Sequence, residues 1–179
     1  LTDIYLSVNY KSEVIKDYFE DGSKFGVSIE YIEENKKLGT AGALGLISKM
    51  PNESFIVMNS DLLTSVNYTN LLNEHKNNDA SATMCVKSYN IEIPYGVIGI
   101  ENNEIIAIDE KPKHNFYINT GIYVLEPEVF EYIQDNSFLD MPNIRALYSS
   151  IVSSLSASSE TNLFCIFAIK IIRSRSSFS

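Results

Sequence analysis

The first half of the chain alternates between strand-like and helix-like segments, and this alternation constrains the fold more than any other feature. The strand-like segments, which are apolar and rich in β-branched residues, are 3–10, 27–32, 55–58 and 81–86. The segments with helical spacing between them are 11–19, 40–50 and 68–76. Strands joined by helices predict an α/β fold with a doubly wound, mainly parallel, Rossmann-like sheet.

The second half departs from this alternation. Residues 96–100 and 104–108 are strand-like and flank Glu101-Asn102-Asn103, which predicts a β-hairpin. A further strand is predicted over 117–125, followed by a helix from Pro127 to Ile133.

Length and composition exclude several classes of protein. A chain of 179 residues with 45% hydrophobic residues suits one globular domain of roughly 100–200 residues. The net charge of −9 argues against a nucleic-acid partner, and no apolar run reaches the ~18 residues of a membrane span. Two cysteines form neither a disulfide framework nor a metal motif, so a cytoplasmic location is predicted.

Charge and serine content change near residue 143. Residues 1–142 contain 10 basic and 22 acidic residues, whereas residues 143–179 contain 4 basic residues and 1 acidic residue. Residues 143–179 also contain 11 of the 22 serines of the chain. We therefore predict a domain over 1–142 and a divergent, basic, serine-rich segment over 143–179. The apolar run 163–172 is open to three interpretations: a buried strand, an aggregation-prone segment, or a segment without a structural role.

Three features are expected at the ligand-binding edge of such a sheet, outside the carboxyl ends of its strands. The first is the loop Leu38–Leu44 (LGTAGAL), where glycines would let a ligand approach and free N–H groups at a helix start would suit an anion or a base. The alternative is a helix capped by Thr40 with small residues packed on the sheet. The second is Asp61, which follows the strand 55–58 and suits Mg²⁺, or else caps a helix or turn.

A third group of polar and glycine residues lies further along the chain. This group is the third feature: Gly96 in a strand indicates a close approach by a ligand or backbone, and Asn119-Thr120-Gly121 lies within the last predicted strand. Glu110-Lys111 before a proline offers an acceptor for hydroxyls and a cation for phosphate, or forms a solvated turn. The lone histidines, His75 and His114, are expected at the surface.

In this order, the motifs DIYLSVNY, LGTAGAL, FIVMNSD, YGVI, EKP and NTGIYVL resemble the sugar-1-phosphate nucleotidyltransferases, over residues 3–143. The chain is most similar to bacterial hexose-1-phosphate guanylyltransferases of polysaccharide pathways. The resemblance implies attack by a sugar 1-phosphate on a nucleoside triphosphate, with release of pyrophosphate and with Mg²⁺ as cofactor.

The resemblance also implies roles for individual residues. Nucleotide-binding residues would be Glu34, Leu38, Gly39, Thr40, Ala41 and Gly42. Sugar-binding residues would be Gly96, Glu110, Asn119, Thr120 and Gly121. Lys111 would act near the sugar phosphate and Asp61 would bind the metal. A carboxylate at Glu34 can accept two hydrogen bonds from guanine, which favours GTP over UTP or dTTP.

Two departures from the family pattern affect the expected activity. The chain contains neither the G-G-x-G-T-R-L loop that holds the triphosphate nor the W-x-D-I-G motif of the second metal ligand. We therefore expect an incomplete, N-terminally truncated catalytic unit with little or no activity, in which a frameshift near Asn143 would explain the altered ending. The alternative is a non-catalytic homologue that binds a nucleotide sugar or a partner subunit in a regulatory role; a homo-oligomer is left open.

Overall fold

The computed structural model describes residues 1–144 and the backbones of two further strands. The strands are β1 (Asp3–Val8), β2 (Ser28–Glu33), β3 (Phe55–Met58), β4 (Ala82–Glu92), β5 (Gly96–Glu101), β6 (Glu104–Glu110), β7 (Lys113–Leu125), β8 (Val152–Ala157) and β9 (Cys165–Ile169). The α-helices are α1 (Ser12–Phe19), α2 (Gly39–Gly42) and α3 (Tyr68–Asn77). The 3₁₀ helices are Ser23–Phe25, Ala43–Leu46, Pro127–Tyr132 and Met141–Asn143.

β1 and β2 form a two-stranded parallel sheet connected by α1. The pairing runs from Asp3 opposite Ser28 to Val8 opposite Glu33. Parallel neighbours need a long crossover, which α1 provides, so the predicted β-α-β unit at the start of the chain is confirmed. Lys16 on α1 forms an ion pair with Glu33 on β2.

The larger sheet has the order β3-β7-β4-β9-β8, and every neighbouring pair in it is antiparallel. The larger sheet is therefore antiparallel throughout its described strands, and among the described pairs only β1 with β2 is parallel, whereas a mainly parallel sheet was expected. The physical reason is the connection between β4 and β7, which runs through the β5–β6 hairpin and contains no crossover helix. β3 and β4 still run in the same direction, as their α3 connection predicts, but β7 lies between them.

The core lies on both faces of the larger sheet. Four consecutive residues of β7, Ile122–Leu125, are buried, as expected for a strand with neighbours on both sides and cover on both faces. Ile122 and Val124 pack with Leu71 of α3 on one face, whereas Tyr123 and Leu125 pack on the other face. The residues that pack with Tyr123 and Leu125 include Ala41, Leu44, Val129, Ile133, Met141 and Ile144.

The predicted hairpin is confirmed, but two predicted helices are wrong in length or type. Asn102 and Asn103 have φ of 49° and 65°, the left-handed conformation that a two-residue hairpin turn requires. The helix expected over 40–50 is four residues of α2 followed by the 3₁₀ turn Ala43–Leu46. Glycine destabilises a helix interior by about 1 kcal/mol, and both Gly42 and Gly45 fall in this segment. The helix expected over 127–133 is 3₁₀.

The segment 143–179 is described only through Asn143, Ile144, β8 and β9. The boundary at 142 stays a prediction, and the rest of the segment lies outside the described residues. β9 falls within the apolar run 163–172, for which a strand was one of three interpretations. Within the described part of the chain, no helix has the length and apolar character needed to cross a membrane.

Candidate functional site

The loop Leu38–Leu44 is held by the segment 137–141 rather than left open. Leu139 N donates to Leu38 O at 2.7 Å, and Leu139 O accepts from Ala41 N at 2.9 Å and Gly42 N at 3.0 Å. Leu38 is itself 1% exposed. The loop and this segment therefore form one hydrogen-bonded unit, which we call the loop clamp (Leu38–Gly42 with 137–141).

The loop clamp overturns the expectation of free N–H groups at this helix start. Thr40 N donates to Asp140 Oδ1 at 3.2 Å, so three successive amides have acceptors within the chain. Thr40 does not cap the helix, because the cap position belongs to Leu38 and the Thr40 hydroxyl accepts from Met141 N at 2.7 Å. A four-residue helix whose amides are already bonded is not an anion site; contacts of the loop with base and sugar stay a prediction.

Glu34 connects the loop clamp to the parallel sheet. Its Oε1 accepts from Ser7 Oγ of β1 at 2.5 Å, and its Oε2 accepts from Leu38 N at 3.1 Å. Its backbone O also accepts from Asn9 Nδ2 at 2.5 Å. Each carboxylate oxygen has two lone pairs, so Glu34 retains acceptor positions for a ligand while its orientation is held.

The structure brings the end of β3 together with Asn119-Thr120-Gly121. Asn59 N donates to Gly121 O at 3.0 Å, and a Cβ on Gly121, whose φ is 74°, would lie 2.6 Å from Asn59 Nδ2. The left-handed φ favours glycine at this position, and a larger residue would also displace the Asn59 side chain. Asn119 Oδ1 accepts from Gly121 N at 2.9 Å, and Thr120 Oγ1 donates to the Cys85 carbonyl at 2.9 Å.

A bulge in β7 produces this arrangement. Between Met84 and Val86 of β4 there is one residue, whereas three residues of β7 separate Asn119 from Tyr123. Such irregularities redirect side chains and are over-represented next to active sites. Burial raises the pKa of the intervening Cys85 thiol to about 12, so this residue is a packing group rather than a nucleophile.

Asp61 follows Asn59 by two residues and is exposed. Among the described residues there is no group of three or more His, Cys, Asp or Glu that could hold a metal ion. Mg²⁺ commonly binds through one or two carboxylates together with water and substrate phosphates. A single exposed Asp61 therefore fits Mg²⁺ that is held jointly with a phosphate, and does not fit an all-protein cage.

The third predicted group lies at the base of the β5–β6 hairpin. Gly96 pairs with Glu110, and a Cβ on Gly96 would lie 3.0 Å from Glu110 Oε2. Lys111 has a φ of 48° and is exposed. Asn119 lies six positions after Lys113 along extended β7, which is about 20 Å at the rise of a β-strand. The structure unites Gly96 with Glu110 but does not bring them to the Asn119–Gly121 bulge.

His75 is a buried residue that the sequence interpretation placed wrongly at the surface. It is 0% exposed, its Nε2 lies 2.9 Å from Glu126 Oε1, and its Nδ1 lies 2.8 Å from Thr83 Oγ1. Glu126 also accepts from Ser54 Oγ at 2.5 Å. The spacing of His75 from Leu71 on the apolar face of α3 is the signal that could have revealed it. This network lies at the start of β3, away from Asp61. His114, in contrast, is exposed as predicted.

Comparison with known protein families gives a result that agrees with the order of the motifs and with the contact between the end of β3 and Gly121. A family model described as nucleotidyl transferase matches residues 1–168. The chain belongs to this family. This match confirms the resemblance to the sugar-1-phosphate nucleotidyltransferases. Proteins named as uridylyltransferases or guanylyltransferases of sugar 1-phosphates are similar to the chain.

Two relatives and one solved structure illustrate the similarity. The UTP–glucose-1-phosphate uridylyltransferase of Synechocystis sp. is 34% identical over 77% of this chain and 40% of the relative. The mannose-1-phosphate guanylyltransferase catalytic subunit beta of Dictyostelium discoideum is 31% identical over 93% of this chain and 46% of the relative. A putative glucose-1-phosphate thymidylyltransferase from Bacillus anthracis, solved with a sucrose, is 31% identical over 73% of this chain and 55% of that chain, with a TM-score of 0.53.

These similarities confirm the predicted α/β nucleotidyltransferase fold. The chain spans less than half of the length of the two curated relatives. The names of the three proteins contain three different nucleotidyl groups: uridylyl, guanylyl and thymidylyl. Family membership therefore leaves the base and the sugar open.

Proposed function

We propose that the chain is the sugar-binding and base-binding part of an enzyme that transfers a nucleotidyl group to a sugar 1-phosphate. The reaction forms a nucleotide sugar and releases pyrophosphate. The observation that carries this proposal is the ordered set of family motifs within the matched residues 1–168. The contact between the end of β3 and the Asn119–Gly121 bulge supports it, because the bulge bonds to Asn59, and Asp61 follows Asn59 by two residues in the sequence.

In the proposed reaction, positioning and electrostatics do most of the work. Asp61 would hold Mg²⁺ together with a phosphate, and bound Mg²⁺ would offset the negative charge that develops there. Lys111 would neutralise the sugar phosphate, and Glu110 would accept from sugar hydroxyls. In the structure Lys111 lies at the far end of extended β7 from Asn119, so the two residues would act on different parts of the bound ligand.

We further propose that the base is guanine and that Glu34 recognises it. Guanine presents both N1–H and a 2-amino group, and a carboxylate can accept from both. The bonds from Ser7 Oγ and Leu38 N support this role, because they orient the Glu34 carboxylate before a ligand arrives.

Calorimetry with GDP-mannose, UDP-glucose and dTDP-glucose, with and without Mg²⁺, tests the binding proposal. We expect GDP-mannose to bind most tightly and Mg²⁺ to strengthen its binding. A pyrophosphate-release assay with GTP and mannose 1-phosphate is expected to give little turnover, since neither the G-G-x-G-T-R-L loop nor W-x-D-I-G occurs in the chain. Absence of binding by all three nucleotide sugars would contradict the proposed function.

Glu34→Gln is expected to weaken GDP-mannose binding roughly 10-fold to 100-fold, the cost of a lost hydrogen bond to a charged group. UDP-glucose binding should change much less, since uracil has one such donor. Glu33→Gln is the matched control, because Glu33 is the adjacent carboxylate and its partner is Lys16. An equal loss for both nucleotides in Glu34→Gln would assign Glu34 to the loop clamp alone and overturn its role in guanine recognition.

A further inference from the structure

Three consecutive residues at the carboxyl end of β1 hold Glu34, the first residue after β2. Ser7 Oγ donates to Glu34 Oε1 at 2.5 Å. The Val8 carbonyl accepts from Glu34 N at 3.0 Å, and Asn9 Nδ2 donates to Glu34 O at 2.5 Å. The parallel pairing of the two strands ends at Val8 opposite Glu33, so these bonds extend the contact by one residue. β1 therefore sets the position of Glu34 at both its backbone and its side chain.

The two carboxylate oxygens of Glu34 have donors from two different segments. Oε1 accepts from Ser7 of β1, and Oε2 accepts from the Leu38 amide of the loop clamp at 3.1 Å. The terminal torsion of a glutamate side chain is broad, so one bond alone would leave the carboxylate free to rotate. A second bond, to the other oxygen, fixes the plane of the group. Glu34 is half-buried and Ser7 is exposed, so a ligand can reach this carboxylate.

The two donors that orient the carboxylate have no proton left for a ligand. An ionised carboxylate only accepts, and a serine hydroxyl and a backbone amide carry one proton each, so both protons are directed at Glu34. A base that meets the carboxylate therefore finds acceptors there. Guanine presents two adjacent donors, N1–H and the 2-amino group, whereas uracil and thymine present one N–H between two carbonyl oxygens. An edge made of acceptors suits guanine and leaves those carbonyl oxygens without donors.

We propose that Ser7 is a positioning residue for base selection: it fixes the plane of the Glu34 carboxylate so that both oxygens accept from guanine at once. This inference rests on the proposed recognition of guanine by Glu34 and adds the residue that makes the recognition specific. Two parallel bonds to one planar group require a fixed plane, whereas a single bond tolerates a rotated carboxylate. Loss of the Ser7 hydroxyl should therefore weaken a ligand that forms both bonds more than a ligand that forms one.

GDP-mannose and IDP-mannose are the ligand pair that tests this difference. The hypoxanthine base of IDP-mannose keeps N1–H and lacks the 2-amino group, and the rest of the molecule is the same. Calorimetry on the full chain with Mg²⁺ measures both dissociation constants. We expect the wild-type chain to prefer GDP-mannose roughly 10-fold or more, the contribution of one hydrogen bond to a charged group. A purely structural loss would weaken both ligands and leave the ratio of their dissociation constants unchanged.

Ser7→Val and Ser7→Thr are the matched variants for this measurement. Valine and threonine are both β-branched and both favour β-strands, but only threonine carries a hydroxyl. We expect Ser7→Val to lower the preference for GDP-mannose about 3-fold to 10-fold, and Ser7→Thr to retain it within about 2-fold. If circular dichroism shows that Ser7→Val is unfolded, Ser7→Ala provides a smaller variant that also lacks the hydroxyl and should show the same loss.

The possible outcomes separate the role of Ser7 from the proposed function. An unchanged preference in Ser7→Val overturns the role of Ser7, and so does an equal loss of affinity for both ligands. A loss in Ser7→Thr as large as that in Ser7→Val overturns it as well, since the hydroxyl would then not be the cause. In these cases the wild-type chain still prefers GDP-mannose, and the proposed function stands. A wild-type chain that binds neither ligand, or binds both equally, overturns guanine recognition by Glu34 and this inference with it.

Discussion

Gly39→Ala is expected to destabilise the protein by about 3–5 kcal/mol, at the upper end of single-substitution effects. Gly39 has a φ of 77°, and a Cβ there would lie 2.6 Å from Leu139 O and 2.7 Å from Asp140 Oδ1. The left-handed conformation alone costs a non-glycine residue about 1 kcal/mol. The larger part arises because Leu139 O accepts from the amides of Ala41 and Gly42, and these bonds cannot survive its displacement.

Gly26→Ala is the matched control for this prediction. Gly26 has a similar φ of 72°, but nothing lies within 4 Å of the position of its Cβ. Gly26→Ala should therefore lower the free energy of unfolding by only about 1 kcal/mol, which is the cost of the left-handed backbone conformation alone. Urea unfolding of both variants measures the two free energies. Equal losses would mean that the segment 137–141 does not hold the loop, and would remove the structural basis of the loop clamp.

His75→Ala is expected to lower the free energy of unfolding by about 3 kcal/mol. The substitution leaves a cavity at a side chain that is 0% exposed. It also removes the hydrogen-bond partner of the Thr83 hydroxyl, which is itself 0% exposed, and one of the two described side chains that bond to the Glu126 carboxylate. An unsatisfied buried polar group costs roughly 1–3 kcal/mol.

His114→Ala serves as the comparison for His75→Ala, since His114 is exposed and its described contact is a ring stacked on Phe116 at 6.3 Å. Its effect should stay within about 0.5 kcal/mol, as is usual for surface positions. Thermal or urea unfolding of both variants provides the measurement. A loss below about 1 kcal/mol for His75→Ala would show that the Thr83–His75–Glu126 network contributes little to stability.

The elements that depend on local signals were predicted well. Alternating apolar residues and the Asn102-Asn103 turn specify the β5–β6 hairpin, because a left-handed two-residue turn strongly prefers asparagine or glycine. The β1-α1-β2 unit was equally accessible, since its helix directly supplies the crossover that parallel strands need. The order of the chemical motifs along the chain was sufficient to recognise the family.

The loop and its glycines were understood only in part. Both Gly39 and Gly42 were expected to admit a ligand, yet a Cβ on either one would overlap backbone atoms of residues 137–141. Nothing local reveals that partner, because about 100 residues separate Thr40 from Asp140 and Met141. The same limit applies to His75, whose burial depends on Thr83 and on the more distant Glu126.

By itself, the sequence determined the alternation of strands and helices, the hairpin turn, the acidic charge and the family. These properties reside in neighbouring residues, where backbone preference and side-chain periodicity act. Only the tertiary structure decided that β7 inserts between β3 and β4 and that the loop amides are bonded to Leu139 and Asp140. Each of these depends on hydrogen bonds or burial between segments far apart in the chain, which no local pattern specifies.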